Sequence, residues 1–264
     1  MSTHATENIF WTQAKEQLSA QQDLREFKNW NIVRQIPLYA TNSLTESYFE
    51  EVVGLLESFD EQESWIPLLK EPFLGHNEDS LHRAKIQTKQ NIDCTSWTLK
   101  SAHHILIFES VSGNSIHDYE QIVEFGAGIG ETARIIRDLG FRGDYYIYDL
   151  PEVSRISTFY LDGWAKNVEH YSEVSNNRRT LFIGTWSLSE VPYDYRNEIA
   201  AYFFQQDFLI VFQNLGLGYD NLSYFKNEFW HVSDTFCRFR KLFLGAVDPG
   251  SHYLVGLGRN YIRK

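Results

Sequence analysis

The sequence predicts an α/β fold: a mostly parallel sheet flanked by helices, closed by an antiparallel hairpin and preceded by a helical extension. Three observations predict it. A β-branched run, Ile122-Val-Glu-Phe125, stops at a glycine-rich loop and passes into an amphipathic helix. Strand-like and helix-like runs then alternate, the pattern of parallel strands joined by crossover helices. Two long closing runs flank Asp248-Pro-Gly-Ser251, a turn signal that joins antiparallel neighbours.

Residues 1–95 carry helical patterns without a strong strand signal. Ile9 to Leu18 is amphipathic, and Glu46 to Phe59 has apolar residues near helical spacing, with Asn42, Ser43 and Thr45 ahead of it as caps. Phe73 to Ser80 is loop-like. No repeat or linker sets this part aside. It is therefore expected to pack on residues 96–264 as an acceptor-site cover or an oligomer contact. Ser96 to Glu109 should be a helix leading into the strand Gln121 to Phe125. Glu131 to Leu139 places Thr132, Ile135, Ile136 and Leu139 on one helical face, and Gly140 is positioned to cap it. Tyr145 to Tyr148 is the second strand. A helix from Pro151 to Trp164, a weak strand from Val168 to Val174 and a clear strand from Arg179 to Gly184 follow. Tyr195 to Gln205 reads as a helix, Asp207 to Gln213 as a strand and Leu222 to Trp230 as a helix. The closing strands are Cys237 to Ala246 and His252 to Tyr261.

Gly126, Gly128 and Gly130 lie between the first strand and its helix. Glycine there permits a tight turn and lets backbone N–H groups approach a ligand. Many α/β turns need glycines without any ligand, so the loop alone is a weak signal. The acids around it narrow the choice. A dinucleotide loop runs G-x-G-x-x-G, but its last glycine position holds Glu131, and the loop is E-x-G-x-G-x-G-E. Glu124 ends the strand, and Glu131 opens the helix where a pyrophosphate would sit. Two carboxylates would repel a pyrophosphate and suit a phosphate-free ligand of net positive charge. S-adenosyl-L-methionine, with a sulfonium, an ammonium and one carboxylate, is such a ligand. Glu124 would face its ammonium side, and the glycine amides its methionine part. Asp149, at the end of the second strand, is placed to accept hydrogen bonds from both ribose hydroxyls. Capping the helix at Pro151 is its alternative role. The expected cofactor-binding set is Glu124, Gly126, Ala127, Gly128, Gly130, Asp149, Leu150, Thr185 and Trp186.

At these residues the chain resembles class I methyltransferases, and more narrowly a bacterial family of sugar O-methyltransferases. The resemblance lies in Ile122-Val-Glu-Phe-Gly-Ala-Gly-Ile-Gly130, Tyr148-Asp-Leu-Pro-Glu152, Gly184-Thr-Trp-Ser-Leu-Ser-Glu190, Asp220-Asn-Leu-Ser-Tyr-Phe225 and Gly250-Ser-His-Tyr-Leu-Val-Gly-Leu-Gly258. Phe10-Trp11 and Phe27-Lys-Asn-Trp-Asn-Ile-Val-Arg34 are also similar, so it spans most of the chain. The first two motifs are specific for the cofactor, the others only for the subfamily. The resemblance implies a Rossmann-like class I methyltransferase sheet with an antiparallel seventh strand. It also implies methyl transfer from S-adenosylmethionine to a hydroxyl of a sugar, in a polysaccharide, a glycosylated metabolite or a nucleotide sugar. The alternatives are a NAD-binding oxidoreductase and a non-catalytic methyltransferase-like binding subunit. Glu131 and the terminal hairpin argue against the first, the intact glycines and Asp149 against the second.

Methyl transfer to a hydroxyl needs alignment, exclusion of water and a positioned general base. Ligands of open α/β sheets sit beyond the carboxyl ends of the strands. That rule selects Trp186 to Glu190, Asn214 to Asn221, and Asp248 to His252. Glu190 is the first candidate base, with helix capping or an arginine pair as its alternative. His252 is the second, since its unperturbed pKa suits proton transfer, with a hydrogen-bonded turn as its alternative. His231 and Asp220 are weaker candidates. Trp186 flanks the methionine part or the acceptor, or is structural. No acidic cluster or His/Cys spacing demands a metal, and none is expected. A Pro-Cys nucleophile for cytosine chemistry is absent, and Gly184-Thr-Trp-Ser187 replaces the run common in exocyclic-amine methyltransferases.

The chain has 264 residues, 43% of them hydrophobic and 22% charged, which is ordinary globular composition. Its formal net charge of −11 makes it a poor binder of a nucleic-acid backbone. Aromatic residues reach 16%, mild support for sugar handling because most serve cores. Cys94 and Cys237 form no C-x-x-C and read as reduced thiols. The first residues do not read as a signal peptide, and no run is long enough to span a bilayer. A cytoplasmic protein with a small-molecule or glycan acceptor is expected, and a homo-oligomer is an open alternative.

Overall fold

Seven strands form one sheet in the computed structural model, which describes residues 9–25, 42–59, 62–69, 83–85, 93–175, 177–203, 206–228, 236–240 and 251–258. Helices α1 (Ile9–Ala20), α2 (Asn42–Phe59) and α3 (Gln62–Leu69) come first, then a small hairpin of β1 (Arg83–Lys85) and β2 (Asp93–Thr95). Helix α4 (Ser96–Ser112) leads into β3 (Gln121–Phe125). Next come α5 (Glu131–Asp138), β4 (Asp144–Tyr148), α6 (Pro151–Tyr160), β5 (Lys166–Asn167), β6 (Thr180–Thr185), α7 (Tyr193–Phe203) and β7 (Asp207–Gln213). After a short ladder of β8 (Leu215–Gly216) and β9 (Tyr219–Asp220), the chain closes with β10 (Phe236–Arg240) and β11 (Ser251–Leu257).

The sheet order is β10-β11-β7-β6-β3-β4-β5. Strands β3 to β7 are mutually parallel, whereas β11 runs antiparallel to both β7 and β10. Counting only sheet strands along the chain, this is 6-7-5-4-1-2-3 with an antiparallel seventh strand, the class I methyltransferase arrangement. Period-two alternation sorts the sheet's side chains. Ile122, Leu209, Val211, Tyr253 and Val255 face a core shared with α2, α4 and α5, while Val123, Phe125, Phe208, Ile210 and Leu254 face the α7 side.

The described helices ahead of α4 pack on the rest of the chain. Tyr48, Val52 and Leu56 of α2 join the core around α4, and Ala14 and Leu18 of α1 pack with Val153 and Ile156 of α6. Arg155 of α6 donates to the carbonyls of Leu18 and Gln21 at the end of α1.

Several local expectations change. Asn42, Ser43 and Thr45 lie inside α2 rather than ahead of it. Helix α3 and the β1–β2 hairpin carry no signal that the sequence reading picked up. Helix α6 stops at Tyr160, because Asp162 (φ 52°) and Gly163 (φ 68°) turn left-handed and close a Schellman cap, with Gly163 N–H bonding Thr158 O at 3.0 Å. Gly140 caps α5 as expected, with φ 91° and Phe141 N–H bonding Ile136 O at 3.2 Å. The strand expected over Val168–Val174 is replaced by the two-residue β5 and a turn at Tyr171–Glu173. There Glu173 Oε1 accepts from Glu169 N–H and His170 N–H, and such local side-chain bonds compete with a ladder. The helix expected at Leu222–Trp230 is a short helix, Asn221–Ser223, running into a π-helical turn, Tyr224–Glu228. Residues 73–80, the closing turn at 248–250 and His231 lie outside the described residues.

Candidate functional site

The site lies at the carboxyl ends of β3, β4 and β6. Gly126, Gly128 and Gly130 have φ of 70°, 58° and 89°, a region that L side chains avoid. At Gly126 a further reason applies. A Cβ there would sit 2.1 Å from Ser187 Cβ, because the turn after β6 presses onto the loop. A Cβ on Gly128 would meet nothing within 4 Å, so that part of the loop stands open.

Asp149 ties the loop to β4. Its Oδ2 accepts from Gly128 N–H at 2.9 Å and its Oδ1 from Leu150 N–H at 2.7 Å. The N-cap of α6 is Leu150, without a side-chain cap bond, so Asp149 does not serve as that cap. Burial pushes its carboxyl up to about 7. Leu150 packs against Ile129 of the loop, and Ala127 against the core beneath.

The two glutamates behave differently from the expectation that both oppose an anion. Glu131 is buried in an ion pair: Arg134 Nη2 stands 2.6 Å from Oε1, Thr98 Oγ1 donates to Oε1 at 2.7 Å, and the Tyr160 hydroxyl donates to Oε2 at 2.6 Å. Its charge is neutralised locally, so repulsion of a phosphate by Glu131 is not a property of this site. What remains is its bulk at the position where a dinucleotide loop needs glycine. Glu124 is buried on the α4 side of β3, and Tyr145 donates to its Oε2 at 2.7 Å. Burial pushes it up to about 7, against the opposing pull of its Tyr145 and Thr132 hydrogen bonds. A carboxyl raised in the folded state contributes stability that is complete below its unfolded pKa and lost as pH rises through about 7. Thermal unfolding should therefore show Glu124→Gln melting above the wild type at pH 8 and level with it at pH 5. Equal melting at both would mean that Glu124 carries no buried charge.

After β6 the chain makes a sharp turn. Trp186 adopts φ 68° and ψ −42°, its N–H bonds Val211 O at 2.7 Å, and Ser187 Oγ bonds Phe125 O at the end of β3. A non-glycine residue held so marks a place where surrounding structure imposes the geometry. Buried Arg196 supplies part of it, donating to Ser189 O (2.6 Å), Val191 O (2.7 Å) and Asn221 Oδ1 (2.7 Å). Its guanidinium lies about 5 Å from the Tyr193, Tyr219 and Tyr224 rings. Thr185 and Trp186 are half-buried at this strand end.

Glu190 is half-buried at the end of the 3-10 turn Ser187–Glu190. His252 lies on the opposite face of the sheet from α4, stacked on Phe212 at 5.2 Å with its Nε2 bonded to the Asn214 side chain. That is the hydrogen-bonded role weighed against catalysis. Asp220 caps the helix at Asn221, accepting from Ser223 N–H at 3.0 Å. Asp144 pairs with Lys166 at 2.7 Å and with Arg178, and the two cations hold its carboxyl below the usual range. Among the described residues no group of three or more His, Cys, Asp and Glu side chains could hold a metal ion, and no helix is long and apolar enough to cross a membrane.

The sequence reading missed α4 as the floor of the site. Trp97, Lys100, Ser101 and His104 recur at helical spacing along one face of it. Trp97 packs in the cluster of Ile129 and Leu150, Ser101 Oγ meets Thr132 Oγ1 at 3.2 Å, and the His104 ring lies 6.5 Å from the Trp186 ring. Lys100 Nζ stands 5.6 Å from the same indole. The available signal was a histidine pair, His103-His104, inside an otherwise apolar stretch.

No protein-family model and no curated protein sequence matches the chain. Among solved structures it is similar to the methyltransferase domain of bacterial CtHen1 (9% identity, 61% of this chain and 98% of that one, TM-score 0.47). It is also similar to human N-acetylserotonin methyltransferase in complex with SAM (10% identity, 86% and 70%, TM-score 0.43). An O-methyltransferase family protein from Burkholderia thailandensis is a third such likeness (11% identity, 79% and 70%, TM-score 0.43).

Proposed function

We propose that the chain is an S-adenosyl-L-methionine-dependent O-methyltransferase whose acceptor is a sugar hydroxyl. The observation that carries the cofactor is the bond from Gly128 N–H to Asp149, which fixes an open glycine loop beside a strand-end carboxylate. Asp149 retains lone pairs for ribose hydroxyls, since each of its oxygens accepts one backbone bond. Gly126, Ala127, Gly128 and Gly130 would line the methionine part, Leu150 and Thr185 would flank the cofactor, and Glu124 would support the loop from beneath or balance the ammonium. The bound cofactor supplies a methyl group on a sulfonium, open to a nucleophile. The chain's own task is to hold an acceptor oxygen in line and keep water out. Trp186 offers a ring face for a pyranose, and α2 covers the acceptor side by bringing Tyr48 and Glu51 onto α4. The sugar itself rests on the motif resemblance. A cytoplasmic location goes with reading Cys94 and Cys237 from sequence as reduced thiols.

Two measurements test this. S-adenosylhomocysteine at a hundredfold excess over its Kd should raise the melting temperature by about 5 °C or more, and NAD should not. The protein with S-adenosylmethionine and a panel of glycosides and nucleotide sugars should add one methyl mass to at least one of them. Stabilisation by NAD alone would establish the oxidoreductase instead. Cofactor binding without transfer to any member would favour the binding subunit.

A further inference from the structure

Arg196 of α7 is 0% exposed, and among the described residues its three hydrogen bonds end on neutral oxygens. Nη2 donates to Ser189 O at 2.6 Å, Nε to Val191 O at 2.7 Å and Nη1 to Asn221 Oδ1 at 2.7 Å. Burial lowers its pKa to about 10, so the guanidinium stays charged at neutral pH. Burying a charge among neutral partners is costly. An apolar side chain would fill the same space without that cost. What arginine adds is a rigid planar fork of donors, able to hold several acceptors at fixed positions.

Those acceptors belong to two separate loops. Ser189 and Val191 follow β6, and Asn221 follows β7. Both loops stand at the carboxyl ends of the strands, where an acceptor would lie. Asn221 is 0% exposed, and its own N–H bonds Asn214 O, just past the end of β7, at 3.0 Å. Its Nδ2 is buried without a hydrogen-bond partner among the described residues. An amide with an unpaired buried donor costs stability, so what it contributes is the Oδ1 that Arg196 holds. On the other loop, Ser189 N–H bonds Trp186 O at 3.0 Å, and Ser189 Oγ bonds the same oxygen. Trp186 N–H bonds Val211 O of β7 at 2.7 Å. The left-handed Trp186 is thus fixed on its N–H side by β7 and on its carbonyl side by Ser189, whose own carbonyl ends on Arg196. The cofactor loop has a separate tie, from Gly128 N–H to Asp149.

We propose that Arg196 is a positioning residue for the acceptor: it locks the loop after β6 to the loop after β7, holds Trp186 in its left-handed conformation, and thereby sets affinity for the acceptor rather than for the cofactor. The acceptor role rests on the methyl-transfer reading, whereas the brace on Trp186 does not.

The test pairs fluorine NMR of the full chain labelled with fluorotryptophan, in which Trp186→Phe identifies the Trp186 line, with steady-state kinetics. The acceptor probe is the member of the glycoside and nucleotide-sugar panel that the wild type methylates fastest. Arg196→Lys keeps the charge but not the fork. Asn221→Leu removes the tie to the loop after β7 and leaves the other two bonds. Each variant should shift or broaden the Trp186 line and raise the acceptor KM about tenfold, with kcat and the S-adenosylhomocysteine Kd within about threefold of the wild type. The double variant should raise KM no more than about twofold beyond the larger single effect, because both substitutions cut the same connection. Lower melting temperatures with an unmoved Trp186 line and a wild-type KM would make Arg196 a structural residue only and overturn the proposal. So would additive KM effects in the double variant, or a loss of S-adenosylhomocysteine affinity as large as the rise in KM. If Arg196→Lys does not fold, Asn221→Leu alone decides by the same readouts. A wild type that methylates no member of the panel overturns the methyl-transfer reading and the acceptor role with it, while an unmoved Trp186 line overturns the brace itself.

Discussion

Asp149→Ala should weaken S-adenosylhomocysteine binding about a hundredfold or more in calorimetry, with the fold retained. Hydrogen bonds to a charged group contribute about 1.5–3 kcal/mol each, and two ribose hydroxyls would be lost together. The variant also frees Gly128 N–H, so the loop loses its tie to β4. The pH dependence adds a second signature. Burial pushes the free carboxyl up to about 7, and hydroxyl donors favour its ionised form. Wild-type affinity should therefore fall as pH drops below about 7, approaching tenfold per unit, and that dependence should vanish in the variant. Unchanged affinity in Asp149→Ala would remove this residue from the ribose role.

Gly126→Ala should lower stability by about 2–5 kcal/mol and abolish cofactor binding. The new Cβ would lie 2.1 Å from Ser187 Cβ and 2.6 Å from its Oγ, at φ 70°. The left-handed backbone costs an alanine about 1–2 kcal/mol, and forcing an atom into a closed contact about 1–3 kcal/mol. Relief requires Ser187 to withdraw, which breaks its bond to Phe125 O and moves Trp186 away from the loop. Denaturant unfolding gives the stability and calorimetry the binding. A variant that keeps both would show that the turn after β6 does not brace the loop. Gly128→Ala is the informative contrast, because its Cβ meets nothing within 4 Å and only the backbone strain remains.

The sheet was legible because its strands are short β-branched and aromatic runs bounded by turn residues. Gln121–Phe125 and Asp207–Gln213 have the limits read from sequence. The left-handed turns of the loop were legible in its glycines, and Asp149 at the strand end meets the Gly128 N–H. What failed was whatever depends on partners distant in the chain. Glu131 reads as a bare acid until Arg134, Thr98 and Tyr160 are seen around it. His252 is a candidate base by residue type, and only the fold shows that Phe212 and Asn214 are its neighbours. His103 and His104 have a partner that their own helix does not reveal, the Tyr253 hydroxyl, which lies 149 residues from His104. Periodicity assigns a residue to a face of its own element, but only the packing of elements says what that face meets.

The most direct test of the account is calorimetric titration of the wild-type protein with S-adenosylhomocysteine and, in parallel, with NAD at pH 7.5. One saturable site for S-adenosylhomocysteine and no heat with NAD is the predicted result. Saturable binding of NAD with none of S-adenosylhomocysteine would contradict it.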